Sequence, residues 1–232
     1  MERRFDGFPP GALTFLKELW ANNRRDWFEG HRQDYSEFIL KPAQAFTAAL
    51  GERLKEISGD IQYDTRTNGR GSIKRIHRDI RFSKDKTPYK TYVGIVFWEG
   101  KRESAKTENP AFYFRLDSEG GAMFAGMHNF PRPLLQRYRD AVVDEEQGDK
   151  LQQAISAVTE SGSCEVGGEH YKRVPPGYDK THPRAGLLRF NALFASSPVI
   201  DPRALNDESL VDTCFEYCRT MAPVFLWLTD RR

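Results

Sequence analysis

The chain has 232 residues, 39% of them hydrophobic, and 35 Lys and Arg against 33 Asp and Glu leave a net charge of only +2. That length buries a real core, in one large domain or two small ones, and the near-neutral balance speaks against a generic nucleic-acid binder, which carries a larger basic excess. No stretch approaches the ~20 consecutive apolar residues of a membrane span, and the N-terminus has no apolar run followed by a small-residue cleavage site, so a cytoplasmic protein with no membrane partner is expected.

In chain order, "GALTFLKELW" puts Leu13, Leu16, Leu19 and Trp20 on one helical face after Pro9 and Pro10. "RRDWFEGHRQDYSEFIL" continues with helical spacing until Pro42, where a break is expected, and "AQAFTAALGERLKEI" follows as a further amphipathic helix. Residues 10–58 therefore read as a helical part. From about 70 to 130 the pattern turns to strands. "SIKRIHRDIRF" alternates so that Ile76, Ile80 and Phe82 face one way and Arg75, His77, Asp79 and Arg81 the other. A helical reading, on Ile73, Ile76 and Ile80, is the weaker alternative. "TYVGIVFW" is apolar on both faces, as a central strand is, and "SEGG" between "AFYFRLD" and "GAMFAGMHNF" signals a hairpin.

From 131 to 230 come two helices, "PRPLLQRYRDAVVDEE" and "DKLQQAISAVTE", a polar proline-rich loop, a strand at "LLRFNALFA", and a closing helix that Pro223 should kink. Cys214 and Cys218 sit four apart on its apolar face and read as core; with Cys164 they make three cysteines and no C-x-x-C pair. The sum is an α+β fold, a mostly antiparallel central sheet with amphipathic helices packed on it, in a single domain over 1–232.

"FLKELWANNRRDWFEGHRQDY", "RDIRFSKDKTPYKTYVG", "YKRVPPGYDKTHP" and "LLRF" occur in this order. They resemble the signatures of a family of bacterial and fungal proteins called domain of unknown function 2461, over roughly Phe15 to Leu228. The resemblance implies an intracellular, single-domain α+β protein and carries no activity with it. One departure stands out: Pro176 occupies a place where the family more often has arginine.

The chemistry concentrates between Arg70 and Lys90. Arg70, Lys74, Arg75, Arg78, Arg81, Lys84, Lys86 and Lys90 face only Asp79 and Asp85 there. Cations at alternate positions of a strand repel unless something anionic sits among them, and phosphate suits arginine's planar fork. The expected anion contacts are Arg75, Arg78, Arg81, Ser83, Lys84, Lys86, Tyr89 and Lys90. Lys172, Arg173, Tyr178 and His182 form a second polar cluster that could close over the first, with Lys172 and Arg173 as its expected anion contacts. Asp79 would orient an arginine or a histidine.

The functional reading is an anion-binding domain, for phosphate or a phosphate-bearing molecule. Nucleic acid is a possible partner through stacking on Phe82, Tyr89, Tyr92 or Trp98. Two alternatives stand beside it. One is a metal-dependent nuclease or other phosphoester-acting enzyme, with Glu99 and Lys101 in an E-x-K spelling and Asp79 or Asp85 upstream. The other is an interaction module that meets an acidic partner, or simply a solvated face of internal salt bridges. His77, Asp79, Glu99 and Lys101 are the catalytic candidates. No Walker A, G-x-G-x-x-G, G-x-S-x-G or H-E-x-x-H motif occurs, and no cofactor or metal site is implied.

Overall fold

The computed structural model describes residues 4–67, 70–100 and 109–230. Helix α1 (Gly11–Ala21) starts directly after the two prolines and turns Ala12, Phe15, Leu16 and Leu19 inward, the spacing of one helical face. The amide side chain and backbone N–H of Asn22 both donate to the Glu18 carbonyl and end it. α2 (Arg25–Gly30) and α3 (Arg32–Asp34) follow, and α3 passes through a π-helical stretch, Tyr35–Leu40, straight into α4 (Lys41–Leu54). The expected break at Pro42 is therefore absent. A proline ring clashes with the carbonyl four residues before it in an α-helix; the widened turns just ahead of Pro42 move that carbonyl aside.

The strands are β1 (Ile61–Gln62), β2 (Val93–Glu99), β3 (Ala111–Asp117), β4 (Gly120–Met127), β5 (Glu165–Glu169) and β6 (Phe190–Ser196). They form one six-stranded antiparallel sheet in the order β1–β2–β3–β4–β6–β5. β2 is buried at every residue, as its two apolar faces demanded. The β3–β4 turn is the expected one: Glu119 N–H donates to Asp117 Oδ1 at 3.0 Å, and Gly120 follows at φ +149°, a conformation that glycine adopts without strain.

α5 (Arg132–Val143) is followed after a single residue by α6 (Glu145–Thr159), whose N-terminus is capped by Asp144 Oδ1 accepting from Gln147 N–H at 2.8 Å. α7 (Leu210–Thr229) runs through Pro223. Among the described residues no helix is long and apolar enough to cross a membrane. Cys164, Cys214 and Cys218 are free and buried.

The chain forms two compact units. The first takes Met1–Phe97, Tyr113–Met123 and Val199–Glu216. Its core is aromatic: the Phe46 ring lies 5.2 Å from Phe5 and 4.6 Å from Phe114, which binds α4 to the inner face of β3. The second takes Trp98–Phe112, Phe124–Pro198 and Tyr217–Arg232. There Phe112 stacks on Phe225 at 4.3 Å, and Tyr138 meets Phe130 at 4.9 Å and Trp227 at 6.0 Å. In each unit the helices thus cover one sheet face with side chains that alternate along the strand.

Candidate anion site on the 70–90 loop

The basic segment first lies against β2 and then leaves the sheet. Val96 N–H donates to the Ser72 carbonyl and Lys74 N–H to the Gly94 carbonyl, with Ile73 bridged to Ile95 between them. Further on, Lys90 N–H donates to Ile76 O at 2.7 Å and Arg78 N–H to Pro88 O at 2.9 Å, and His77 bridges Tyr89. These contacts close residues 79–87 into a loop. Asn23, from the turn after α1, grips its base: Oδ1 accepts from Tyr89 N–H at 3.0 Å and Nδ2 donates to Tyr89 O at 2.9 Å. The Tyr89 ring stacks on Phe28 at 4.2 Å and lies 5.1 Å from His77. One side chain of α2 and one amide thus join two distant segments of the sequence.

The strand expected over Arg75–Arg81 does not form, and neither does the helix. The reason is local competition. Arg81 N–H turns to Asp79 Oδ1 and Thr87 N–H to Asp85 Oδ1, and such aspartate turns offer the backbone partners that a ladder would otherwise supply.

The same aspartates neutralise two of the expected anion contacts. Arg81 donates to both Asp79 oxygens, at 2.9 and 2.6 Å, and Arg78 pairs with Asp85 and donates to Thr87 Oγ1 at 2.8 Å. The Arg81 side chain and backbone N–H pull the Asp79 carboxyl down to about 2. The Thr87 backbone and hydroxyl, with Arg78 after them, lower that of Asp85. Lys86 Nζ donates to Ile80 O at 2.9 Å. Ser83 is half-buried and Lys84 exposed, and Phe82 projects between them and Arg81 at 95% exposure. Tyr89 is buried, so its ring packs rather than presents a stacking surface.

Beside Lys84 and Lys86, which stand exposed on the loop, the cations left without a carboxylate are Lys74, Arg75 and Lys90. Lys90 Nζ donates to the Arg75 carbonyl at 2.8 Å, and among the described residues none of the three has a carboxylate within ion-pair distance. Burial lowers the pKa of the half-buried Lys74 ammonium. Burial, and then the charges of Lys74 and Arg75, do the same to Lys90. The register opposite Gly94 brings Lys74 out on the sheet face where Tyr113 stands, because a β-carbon on Gly94 would point at the Tyr113 hydroxyl, 2.0 Å away. Burial, with the neighbouring Tyr92, raises that hydroxyl to about 12. Arg115 lies 4.6 Å over the Tyr92 ring. Lys74 was not among the expected anion contacts. Its signal was a lysine directly after Ile73 on a segment that pairs with β2.

The other candidates lie elsewhere. Glu99 is buried at the end of β2, where its backbone carbonyl accepts from Asn109 Nδ2 at 2.8 Å; Lys101 lies outside the described residues. His77 is exposed. Lys172 and Arg173 are exposed in the second unit, after β5. The rest of that proline-rich loop braces the α5–α6 corner: Tyr178 Oη donates to Asp140 Oδ1 at 2.9 Å, and Arg184 Nε donates to Val142 O at 2.7 Å. A hollow of about 770 Å3 in the first unit is lined by Glu52, Glu208 and Asp212, with Arg53 already paired to Asp212, and so does not suit an anion. Among the described residues no three His, Cys, Asp or Glu side chains converge as a metal-ligand set.

No curated protein and no solved structure matches the chain. A family model described as a conserved hypothetical protein, DUF2461, matches residues 11–227, and with nearly its whole length so matched the chain belongs to that family.

Proposed function

We propose that this protein binds a small anion of the phosphate type at Lys74, Arg75 and Lys90. The observation that carries the reading is a contrast within one loop. Arg78 and Arg81 are matched by Asp85 and Asp79, whereas Lys90 feels the charges of Lys74 and Arg75 and none of these three has a carboxylate within ion-pair distance among the described residues. A partly buried ammonium beside two further cations is costly, and a bound anion removes that cost through charge-assisted hydrogen bonds. Arg75 offers its planar fork and Lys90 a point charge fixed by its bond to the Arg75 carbonyl.

Titration with inorganic phosphate, followed by calorimetry or by the rise in unfolding temperature, tests the reading. Removing either charge, in Arg75→Ala or Lys90→Ala, is expected to weaken binding about tenfold, the worth of one hydrogen bond to a charged group. Arg81→Ala, which removes an already neutralised charge, should leave it unchanged. Absence of saturable binding to the unmodified chain, or an equal loss in all three variants, overturns the proposal.

A further inference from the structure

The second unit has a cavity of its own, of about 330 Å3, between α6, the end of β5 and the segment that leads into β6. That volume is at the small end of ligand sites, about 300–1,000 Å3. Ile155, Leu187 and Phe190 line it with apolar side chains that the fold leaves only half-buried. The wall is fixed by the chain itself. Tyr138 Oη donates to Leu187 O at 3.1 Å, Arg189 N–H to Gly186 O at 3.2 Å and His170 N–H to Arg189 O at 2.9 Å. Arg184 also lines the cavity, but its guanidinium is spent on Asp149 and on the Val142 and Asp144 carbonyls. One charged pair stands in the lining: Arg189 Nη2 lies 3.0 Å from Glu169 Oε1, with the two side chains 36% and 52% exposed. Neither charge has another partner among the described residues, so the guanidinium keeps donors to spare and the carboxylate keeps its second oxygen. A simple anion would meet Glu169 there, and a simple cation would meet both arginines. A guest that carries both signs meets neither repulsion.

We propose that this cavity binds an α-amino acid with an apolar side chain. Its carboxylate lies against the planar fork of Arg189, its ammonium against Glu169, and its side chain on Ile155, Leu187 and Phe190. The 3.0 Å between the two protein charges calls for ligand charges that are equally close. In an α-amino acid a single carbon separates them, whereas a peptide spreads them over at least one amide. The site belongs wholly to the second unit and does not depend on the phosphate reading of the first.

Titration of the full-length protein with L-leucine, followed by calorimetry, tests the assignment. Saturable binding is expected. Three analogues each remove one contact: 4-methylpentanoate lacks the ammonium, 3-methylbutylamine the carboxylate and glycine the side chain. Each should bind about tenfold more weakly than leucine or worse, the worth of one charge-assisted hydrogen bond or of one buried aliphatic side chain. Glu169→Gln should weaken leucine about tenfold and abolish its advantage over 4-methylpentanoate, and Arg189→Gln should abolish its advantage over 3-methylbutylamine. Both variants alter a part-exposed pair that adds little to stability, so the fold is retained in each. No saturable binding of leucine to the unmodified chain overturns the proposal. So does any of the three analogues binding as tightly as leucine, or a preference for leucine over 4-methylpentanoate that survives in Glu169→Gln.

Discussion

At Gly94 the backbone can carry nothing larger than hydrogen. A β-carbon there would lie 2.0 Å from the Tyr113 hydroxyl oxygen and 2.8 Å from the ring carbon that bears it. The pair sits beside Lys74, which is bonded through its N–H to the Gly94 carbonyl. Gly94→Ala must therefore push Tyr113 off β2, at a cost of about 1–3 kcal/mol for overpacking. Tyr113→Phe removes the closer of the two obstacles. In a double-mutant cycle read by chemical denaturation, the second substitution should recover at least about 0.5 kcal/mol of the first, since residues in contact do not add. Strict additivity would show that the two side chains can avoid each other and that Tyr113 is not fixed over Gly94.

At the scale of elements, the α5–α6 corner shows how one side chain replaces a turn. Only Asp144 separates the two helices, and the last carbonyls of α5 need donors. Arg184 supplies them: Nε to Val142 O at 2.7 Å, Nη2 to Asp144 O at 2.8 Å, and Nη1 to Asp149 Oδ1 at 2.6 Å. Gly148 leaves the space, since a β-carbon there would meet Arg184 Nε at 2.3 Å. Lysine keeps the charge but not the fork, so Arg184→Lys is expected to cost about 1–3 kcal/mol in urea unfolding, a loss of one or two hydrogen bonds to a charged group. A change below about 0.5 kcal/mol would place Arg184 among ordinary surface ion pairs instead.

The elements differ in how far the sequence revealed them. β2 and the β3–β4 hairpin were readable because their signals are local: an unbroken apolar run, and glycines next to a two-residue turn. Residues 75–81 have the alternation of a strand, but Asp79 and Asp85 draw backbone N–H groups into turns, and period-two patterning takes no account of such side chains. Pro42 was misread because the π-helical stretch ahead of it leaves no compositional mark. The grip of Asn23 on Tyr89 spans 66 positions, and the bond of Lys90 to the Arg75 carbonyl depends on the loop having closed. Of the candidate site, the basic segment was legible from composition. Which of its cations the two aspartates would leave unmatched was not, because that follows from the turns.

For the whole molecule the relevant contrast is between a net charge of +2 over 232 residues and seven Lys or Arg against two Asp within residues 74–90. Charge is balanced globally and concentrated locally, so an anion is drawn to one place rather than to the surface at large. The lysines make this attraction depend on pH with a definite sign. Lys74 and Lys90 both titrate below the ordinary lysine value of 10.5 in the folded chain. Just below that value the folded state therefore binds fewer protons than the unfolded one, and the contribution of these two groups to stability rises with pH through this window. At lower pH both are charged in either state, and their mutual repulsion opposes folding. Sulfate, whose own charge does not change over the range, offsets that repulsion while the lysines are protonated and loses its hold as they deprotonate. Its effect on the unfolding temperature should thus be largest near about pH 7 and should decline toward about pH 10, earlier than exposed lysines would allow. Lys90→Met should flatten the decline. A stabilisation by sulfate that stays constant across the range, or one that Lys90→Met leaves untouched, would mean that the ion acts through general exclusion from the protein surface and not through these amines.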